Sequence, residues 1–413
     1  MDRDLRLGLV GIAGYANEIG HLLQSPNLGD DANTLSTIFV PDPERHPQRI
    51  AELKRQGVRC VDSYAALLAS GIDAVWLPVP IHLHRPMTEQ ALAAGVAVIC
   101  EKPVAGTIDE WHAMKSAQDR AGLPVFVGFQ HVYESATHRL KQRVLDARGR
   151  GPIRASLVGA RPRGSDYFGR NDWAGHIQRG EHYVLDSPLN NAMAHAVNLA
   201  VFLMGPRPNA AAEPSRVEAE LYRVNAIENY DTVSLRAGFT DGSELVVTLT
   251  HACPEPLGPR LRLRAEGLDV LWDETEAQAR CTTPDGGIEW IARDERPREA
   301  MVRRLLRRLR DGSRRTDEGV ATLETARPHT VLVNGVSQAA TIHNVPDEFV
   351  QTQATRHPHT LRHIAGISAA LSEAERGGRT LHELGTLPWT QPAGGLNLAG
   401  YRRFAGPAVA VPG

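Results

Sequence analysis

Cysteine is scarce in this chain. Four cysteines occur among 413 residues, at positions 60, 100, 253 and 281, too widely spaced for a disulfide framework or a zinc site. They read as reduced thiols of a cytoplasmic protein. A surplus of either charge is also missing: 46 Lys plus Arg stand against 48 Asp plus Glu, a formal net charge of −2. A general nucleic-acid binder would show a basic excess, so that class is set aside. Long apolar runs are absent too. Residues 74–80 and 96–100 are strand-sized, far short of the roughly 20 residues that cross a bilayer. The opening MDRDLRLGLVG shows no charged-then-apolar leader, so neither a secreted nor a membrane protein is expected.

What is present is the composition of an ordinary globular protein, 42% hydrophobic and 23% charged. At about 100–200 residues per domain, the length predicts two or three domains. Residues 5–128 alternate short apolar runs with amphipathic stretches. Strands are predicted at 6–10, 34–40, 59–61, 74–77, 96–100 and 125–127, with helices such as 64–70, 85–94 and 108–121 between them. The fold class is therefore α/β, opening with a Rossmann-type, doubly wound parallel sheet. Past Phe129 the rhythm changes. A helix over 136–147 leads into a strand over 153–160, and long strands follow from 215 to 272 with few helices between them. That pattern predicts a second α/β domain with an open, mainly antiparallel sheet. Further helices are expected over 298–310, 322–334 and 359–376, then an irregular tail. The boundaries are a dinucleotide-binding domain at 1–128, a substrate and oligomerisation domain at 129–387, and the tail at 388–413. An arginine cluster, Arg303 to Arg315, lies opposite an apolar stripe and reads as the solvated face of an amphipathic helix.

Three segments carry chemistry. Gly11-Ile12-Ala13-Gly14 follows the first strand and opens a helix, where free amides and the helix dipole favour a pyrophosphate. Against G-x-G-x-x-G/A, Gly11 and Ala16 fit and Ala13 replaces the second glycine. Alone the segment is equally a glycine-rich turn, and the alternating strands and helices favour the nucleotide. Asp42 is the candidate for the ribose hydroxyls, with Arg45 near enough to meet a 2′-phosphate. NAD is preferred and NADP remains open. The second segment is a pair of strand ends, Leu77-Pro78-Val79-Pro80-Ile81-His82-Leu83-His84 and Ile99-Cys100-Glu101-Lys102-Pro103. The third is Asp186-Ser187-Pro188-Leu189-Asn190-Asn191, continuing to His195 and Asn198. Ser187 and Pro188 predict a helix start, and a helix running to Met204 would put Asn191, His195 and Asn198 on one face. His195 has the intrinsic basicity for proton transfer at neutral pH.

A strand ending in Glu-Lys-Pro after a Pro-x-x-x-His turn resembles the glucose–fructose oxidoreductase / inositol dehydrogenase / rhizopine-catabolism (Gfo/Idh/MocA) family. The resemblance implies that Lys102 lies between nicotinamide and substrate, and that the peptide bond to Pro103 is often cis. It also implies that His195 holds the family's histidine position, with Asn191 and Asn198 in place of two acids. Pro80, His84, Glu101, Lys102 and Gln130, with Tyr133, are expected along the cofactor cleft, beside Gly11, Ile12, Ala13, Gly14 and Asp42. Tyr167, Arg170 and Trp173 resemble the substrate-gripping segment of one branch of the family, and a rigid loop would use the same residues. The function so implied is a nicotinamide-dependent oxidoreductase that transfers hydride between a secondary alcohol of a sugar, polyol or glycoside and NAD(P). A redox glycosidase with transient ring oxidation is the alternative. The expected partners are a small carbohydrate and one or three further copies of the chain, a homodimer or homotetramer. No metal is expected: His357, His359 and His363 offer an i, i+4 pair with no acidic or thiol partner.

Overall fold

The computed structural model describes residues 5–31, 34–148, 151–283, 285–311, 319–355 and 358–408. Arg314, Arg315 and His357 lie outside them. The chain divides into two compact units. The first comprises Met1–Ala105, Glu110–Glu134 and Asp294–Ala326, and the second comprises Gly106–Asp109, Ser135–Arg293 and Arg327–Gly413. A single cut at 128 therefore does not reproduce the units, because a late segment returns to the first.

In the first unit, β1 (Leu7–Val10), β2 (Leu35–Phe39), β3 (Arg59–Val61), β4 (Ala74–Leu77), β5 (Ala97–Cys100) and β6 (Val125–Val127) form one parallel sheet in the order β3-β2-β1-β4-β5-β6. Every residue of β1, β4 and β5 is buried, which is why these strands read as unbroken apolar runs. The order reverses between β1 and β4, and the loops leaving their C-terminal ends open at this switch point. The helices α1 (Tyr15–Leu23), α2 (Pro47–Arg55), α3 (Tyr64–Leu68), α4 (Ile81–Ala93) and α5 (Ile108–Ala121) lie between the strands. Helix α4 starts earlier than the expected 85 and carries Pro86 inside it. A proline so close to a helix start removes few backbone bonds, so it does not mark the boundary.

The second unit continues with α6 (Ser135–Ala147), β7 (Arg154–Ala160), α7 (Ser165–Phe168), a short hairpin β8 (Gln178–Arg179) and β9 (His182–Tyr183), and α8 (Ala194–Leu203). The strands β10 (Arg216–Arg223), β11 (Thr232–Gly238), β12 (Glu244–Thr250), β13 (Leu257–Ala265), β14 (Leu268–Asp273), β15 (Gln278–Thr282) and β16 (Ile288–Ala292) then follow. With β17 (Ile342–Asn344) they form a mostly antiparallel sheet ordered β16-β15-β14-β13-β7-β12-β11-β10-β17. The pairs β7–β12 and β10–β17 are parallel. On β7, Val158 and Ala160 pack with Ile367, Ala370 and Leu371. The intervening Gly159 faces the other way, where a Cβ would sit 2.7 Å from Met193 Sδ. The absent side chain leaves room there for that of Met193, just before α8. Lys141 of α6 is buried, and its Nζ donates to the carbonyls of Phe202, Leu203, Gly205 and Ala210, closing the C-terminal end of α8.

Helix α9 (Pro297–Asp311) belongs to the first unit, and α10 (Leu323–Ala339) follows it. The expected helix over 359–376 splits. Its first third is β19 (Thr360–Ile364), paired antiparallel with β18 (Val350–Ala354), and only Ile367–Gly377, α11, is helical. The β-branched, Gln-rich run at 350–354 supplies the partner that local helix propensity could not reveal. The irregular tail is also corrected in part: β20 (Gly394–Asn397) adds an antiparallel strand to β10.

Candidate active site

At the C-terminal end of β1, Gly11 has φ +93° and Gly14 has φ +54°, values that side chains strain. Gly14 is the N-cap of α1, and no side chain caps that helix end. The amides of Asn17 and Glu18 donate to Gly14 O, and the turn ahead of them fits a dinucleotide pyrophosphate. Ile12 is buried while Ala13 and Gly14 are exposed. The alanine in the second glycine position therefore points its methyl into open space rather than into the turn. Asp42 sits exposed at the start of a short turn after β2, with Arg45 Nη1 4.0 Å from its carboxylate.

The end of β5 is more tightly built. Glu101 is 4% exposed, accepts from Trp76 Nε1 at 3.1 Å and from the backbone amide of Lys102 at 3.2 Å, and abuts Gly128, where a Cβ would come within 2.5 Å of its carboxylate. Burial raises its pKa, and the Trp76 bond and the Lys102 charge oppose the rise. A surface ion pair at a strand end is therefore excluded. The carboxylate is an internal strut that fixes the backbone carrying Lys102, and the Lys102–Pro103 bond is cis. His84 is 1% exposed and lies 2.9 Å from the carbonyls of both Pro103 and Val79. Its two ring nitrogens thus face one carbonyl from each of the β4 and β5 loops. Pro80 is the N-cap of α4. Gln130 is partly exposed in the turn after β6, whereas Tyr133 is fully buried and donates to Val127 O at 2.8 Å. Tyr133 belongs to the core.

The second unit holds the other candidates. The predicted helix from Ser187 to Met204 is broken. Ser187 caps a π-helical turn, Pro188–Ala192, accepting from Asn190 N at 3.1 Å, and α8 begins only at Ala194. Met193, at φ −121° and ψ 17°, lies between them. Asn191 therefore does not share a straight helical face with His195 and Asn198. Helix α8 is apolar all round, and every residue in it is buried except His195. Asn198 is 0% exposed and belongs to the interior, not to a pocket wall.

Asn191 Nδ2 donates to Asp186 Oδ1 at 2.8 Å, and Asp186 Oδ2 accepts from Gly175 N at 2.7 Å. Asp186 is 3% exposed, and the residue before it, Leu185, has φ +45°, a left-handed conformation that costs a leucine on the order of 1 kcal/mol. A buried carboxylate from five residues upstream thus stands against Asn191. Sequence reasoning did not single out Asp186; its one signal is a lone acid between the apolar pair Val184-Leu185 and a capped helix start. Arg161 braces the π-turn, donating to Ala192 O at 2.9 Å and pairing with Glu274. Tyr167 carries the guanidinium carbons of Arg170 and Arg163 over its ring, at 3.5 and 4.3 Å, and Trp173 lies 5.2 Å from Arg170. His363 lies on β19 and His359 just before it, so the helical i, i+4 geometry is absent.

Residues 5–129 match the family model GFO_IDH_MocA, the oxidoreductase family with an NAD-binding Rossmann fold. Among curated proteins, the chain is similar to D-apiose dehydrogenase of Paraburkholderia graminis. That match is 28% identical over 212 residues, 50% of this chain and 52% of that protein. It is also similar to dTDP-3,4-didehydro-2,6-dideoxy-alpha-D-glucose 3-reductase of Streptomyces violaceoruber, 34% identical over 155 residues, 37% of this chain and 43% of that one. The matches thus span about half or less of these relatives. Among solved structures, UDP-N-acetylglucosamine 3-dehydrogenase from Acidithiobacillus ferrooxidans has a TM-score of 0.63 at 19% identity, covering 80% of this chain and 96% of that one, a likeness of fold. No helix among the described residues is long and apolar enough to cross a membrane.

Proposed function

From its membership of the Gfo/Idh/MocA oxidoreductase family, carried by the NAD-binding domain at 5–129, we propose that the protein oxidises or reduces a secondary alcohol of a sugar, polyol or glycoside. When bound, the nicotinamide supplies the hydride acceptor or donor. In the oxidising direction His195 takes the hydroxyl proton. Lys102 stabilises the negative charge that develops on the same oxygen. Asn191 orients the hydroxyl, its amide held by Asp186. Glu101 keeps the Lys102 backbone in place. Asp42 favours NAD over NADP, because a carboxylate accepts from ribose hydroxyls and repels a 2′-phosphate.

The observation that carries this reading is His195, the one side chain left accessible on a helix that is otherwise buried throughout. The test is incubation with NAD or NADP and a panel of sugars, polyols and aryl glycosides, following reduced nicotinamide by absorbance and aglycone by chromatography. Substrate-dependent reduction is the expected result. Aglycone release without net reduction would overturn it in favour of a redox glycosidase.

A further inference from the structure

We propose that Arg163 and Arg170 form an anion subsite on either end of α7, so that the substrate is a sugar carrying a carboxylate or phosphate rather than a neutral polyol. This rests on the oxidoreductase reading above and specifies its substrate class. The two guanidinium carbons lie 4.3 and 3.5 Å from the same Tyr167 ring centroid, so their separation cannot exceed the sum of those distances. Their neighbours are neutralised: Arg161 pairs with Glu274, and Arg179 pairs with Asp172. Among the described residues neither Arg163 nor Arg170 has a carboxylate within ion-pair distance. Arg170 donates to the backbone carbonyl of Tyr167 at 2.7 Å and bonds its side chain, and the buried Nε of Arg163 has no acceptor among the described residues.

Holding like charges together costs energy that packing alone does not explain. A planar guanidinium fork matches carboxylate and phosphate oxygens, and an anion bridging two forks removes the repulsion. The ring beneath is anchored from behind by His251, 2% exposed with its centroid 5.8 Å from that of Tyr167. Burial, and then the charges of Arg163, Arg161 and Arg170, push His251 down to about 3, so it adds no charge of its own. The loop that carries Arg170 runs on to Gly175, whose amide donates to Asp186 Oδ2 at 2.7 Å, which ties it to the Asp186–Asn191 end of the site. With its ring taken up by two guanidinium groups, Tyr167 serves as their platform and not as a stacking surface for a pyranose.

The experiment is calorimetric titration of the full-length protein with D-glucuronate, D-glucose 1-phosphate and D-glucose at low and high salt, alongside nicotinamide reduction with each. One of the two acids is expected to bind at least tenfold more tightly than glucose, an advantage that fades as salt screens the charges. Which acid wins identifies the carboxylate or the phosphate as the ligand. Arg163→Gln and Arg170→Gln should each weaken that acid about tenfold or more, and Arg163→Lys by less, with melting curves confirming the fold. Equal binding of acid and glucose, no saturable binding of either acid, or indifference to the Gln variants would overturn the subsite. Oxidation of glucose without advantage for an acid would leave the oxidoreductase reading standing. Arginine-dependent binding of an acid without any nicotinamide reduction would do the reverse.

Discussion

Asp186 and Asn191 are locked in one orientation: the amide nitrogen of Asn191 donates to the buried carboxylate at 2.8 Å, across a single π-helical turn. The bond turns Asn191 Oδ1 away from Asp186, the orientation that the proposed function requires of it. Replacing the carboxylate by an amide puts a donor where Asn191 or Gly175 needs an acceptor. Asp186→Asn should therefore lower kcat/KM about 10- to 100-fold and lower the Tm by several degrees. Steady-state kinetics and thermal melting check both halves. Unchanged kinetics with a lowered Tm would reduce Asp186 to a structural role.

Removing the reacting groups should act on turnover and spare the nucleotide. Lys102→Met and His195→Phe are each expected to reduce kcat by about 100-fold or more. Binding of reduced nicotinamide, read by fluorescence, should stay within a few-fold of the parent protein. A variant that turned over normally would remove its residue from the proposed chemistry.

Lys141 offers a test of stability away from any chemistry. Its Nζ serves carbonyls at the end of α8, and a methionine of similar length would leave them buried without donors. Lys141→Met should cost roughly 3 kcal/mol, measured as a lower urea midpoint at unchanged slope.

Acid should loosen the fold through two histidines. Burial lowers His84 to about 4 and His251 to about 3, against 6.5 for an exposed imidazole. Between those values and 6.5 the unfolded chain binds more protons than the folded one. Stability is thus complete above about pH 6.5 and falls as the pH drops through this window, by up to about 1.4 kcal/mol per pH unit for each group. Urea midpoints from pH 7 to pH 4 should show that slope, and His251→Gln should flatten it.

The parallel sheet was legible because its strands are buried on both faces, which writes them as apolar runs such as Ala74–Leu77. Glu101 and Lys102 were legible by their place at a strand end. The break at Met193 was not, because Ser187, Pro188 and the apolar run to Leu203 satisfy every local rule for one continuous helix. At the break the Met193 side chain packs on Gly159, a contact far away in sequence that no local rule reveals. Asn198 stays on α8 with His195, and its complete burial comes from tertiary packing that the spacing does not reveal. Tyr133 and Asp186 were misplaced or missed because a polar residue's partners are backbone groups brought up by the fold. Strand β19 was hidden by its dependence on β18.

The return of Asp294–Ala326 to the first unit sets an order of assembly on the ribosome. Val127 N bonds Ala321 O at 2.9 Å, Trp111 Nε1 bonds Leu323 O at 2.7 Å, and Glu18 pairs with Arg298. The nucleotide-binding half, begun first in synthesis, acquires these partners only after β7 to β16 of the other half have been made. Its early sheet must wait, exposed, for a distant piece of the same chain. A gene fragment ending near residue 134 would encode an aggregation-prone stump, whereas joining that fragment to residues 294–326 through a short linker would restore a nucleotide-binding miniature.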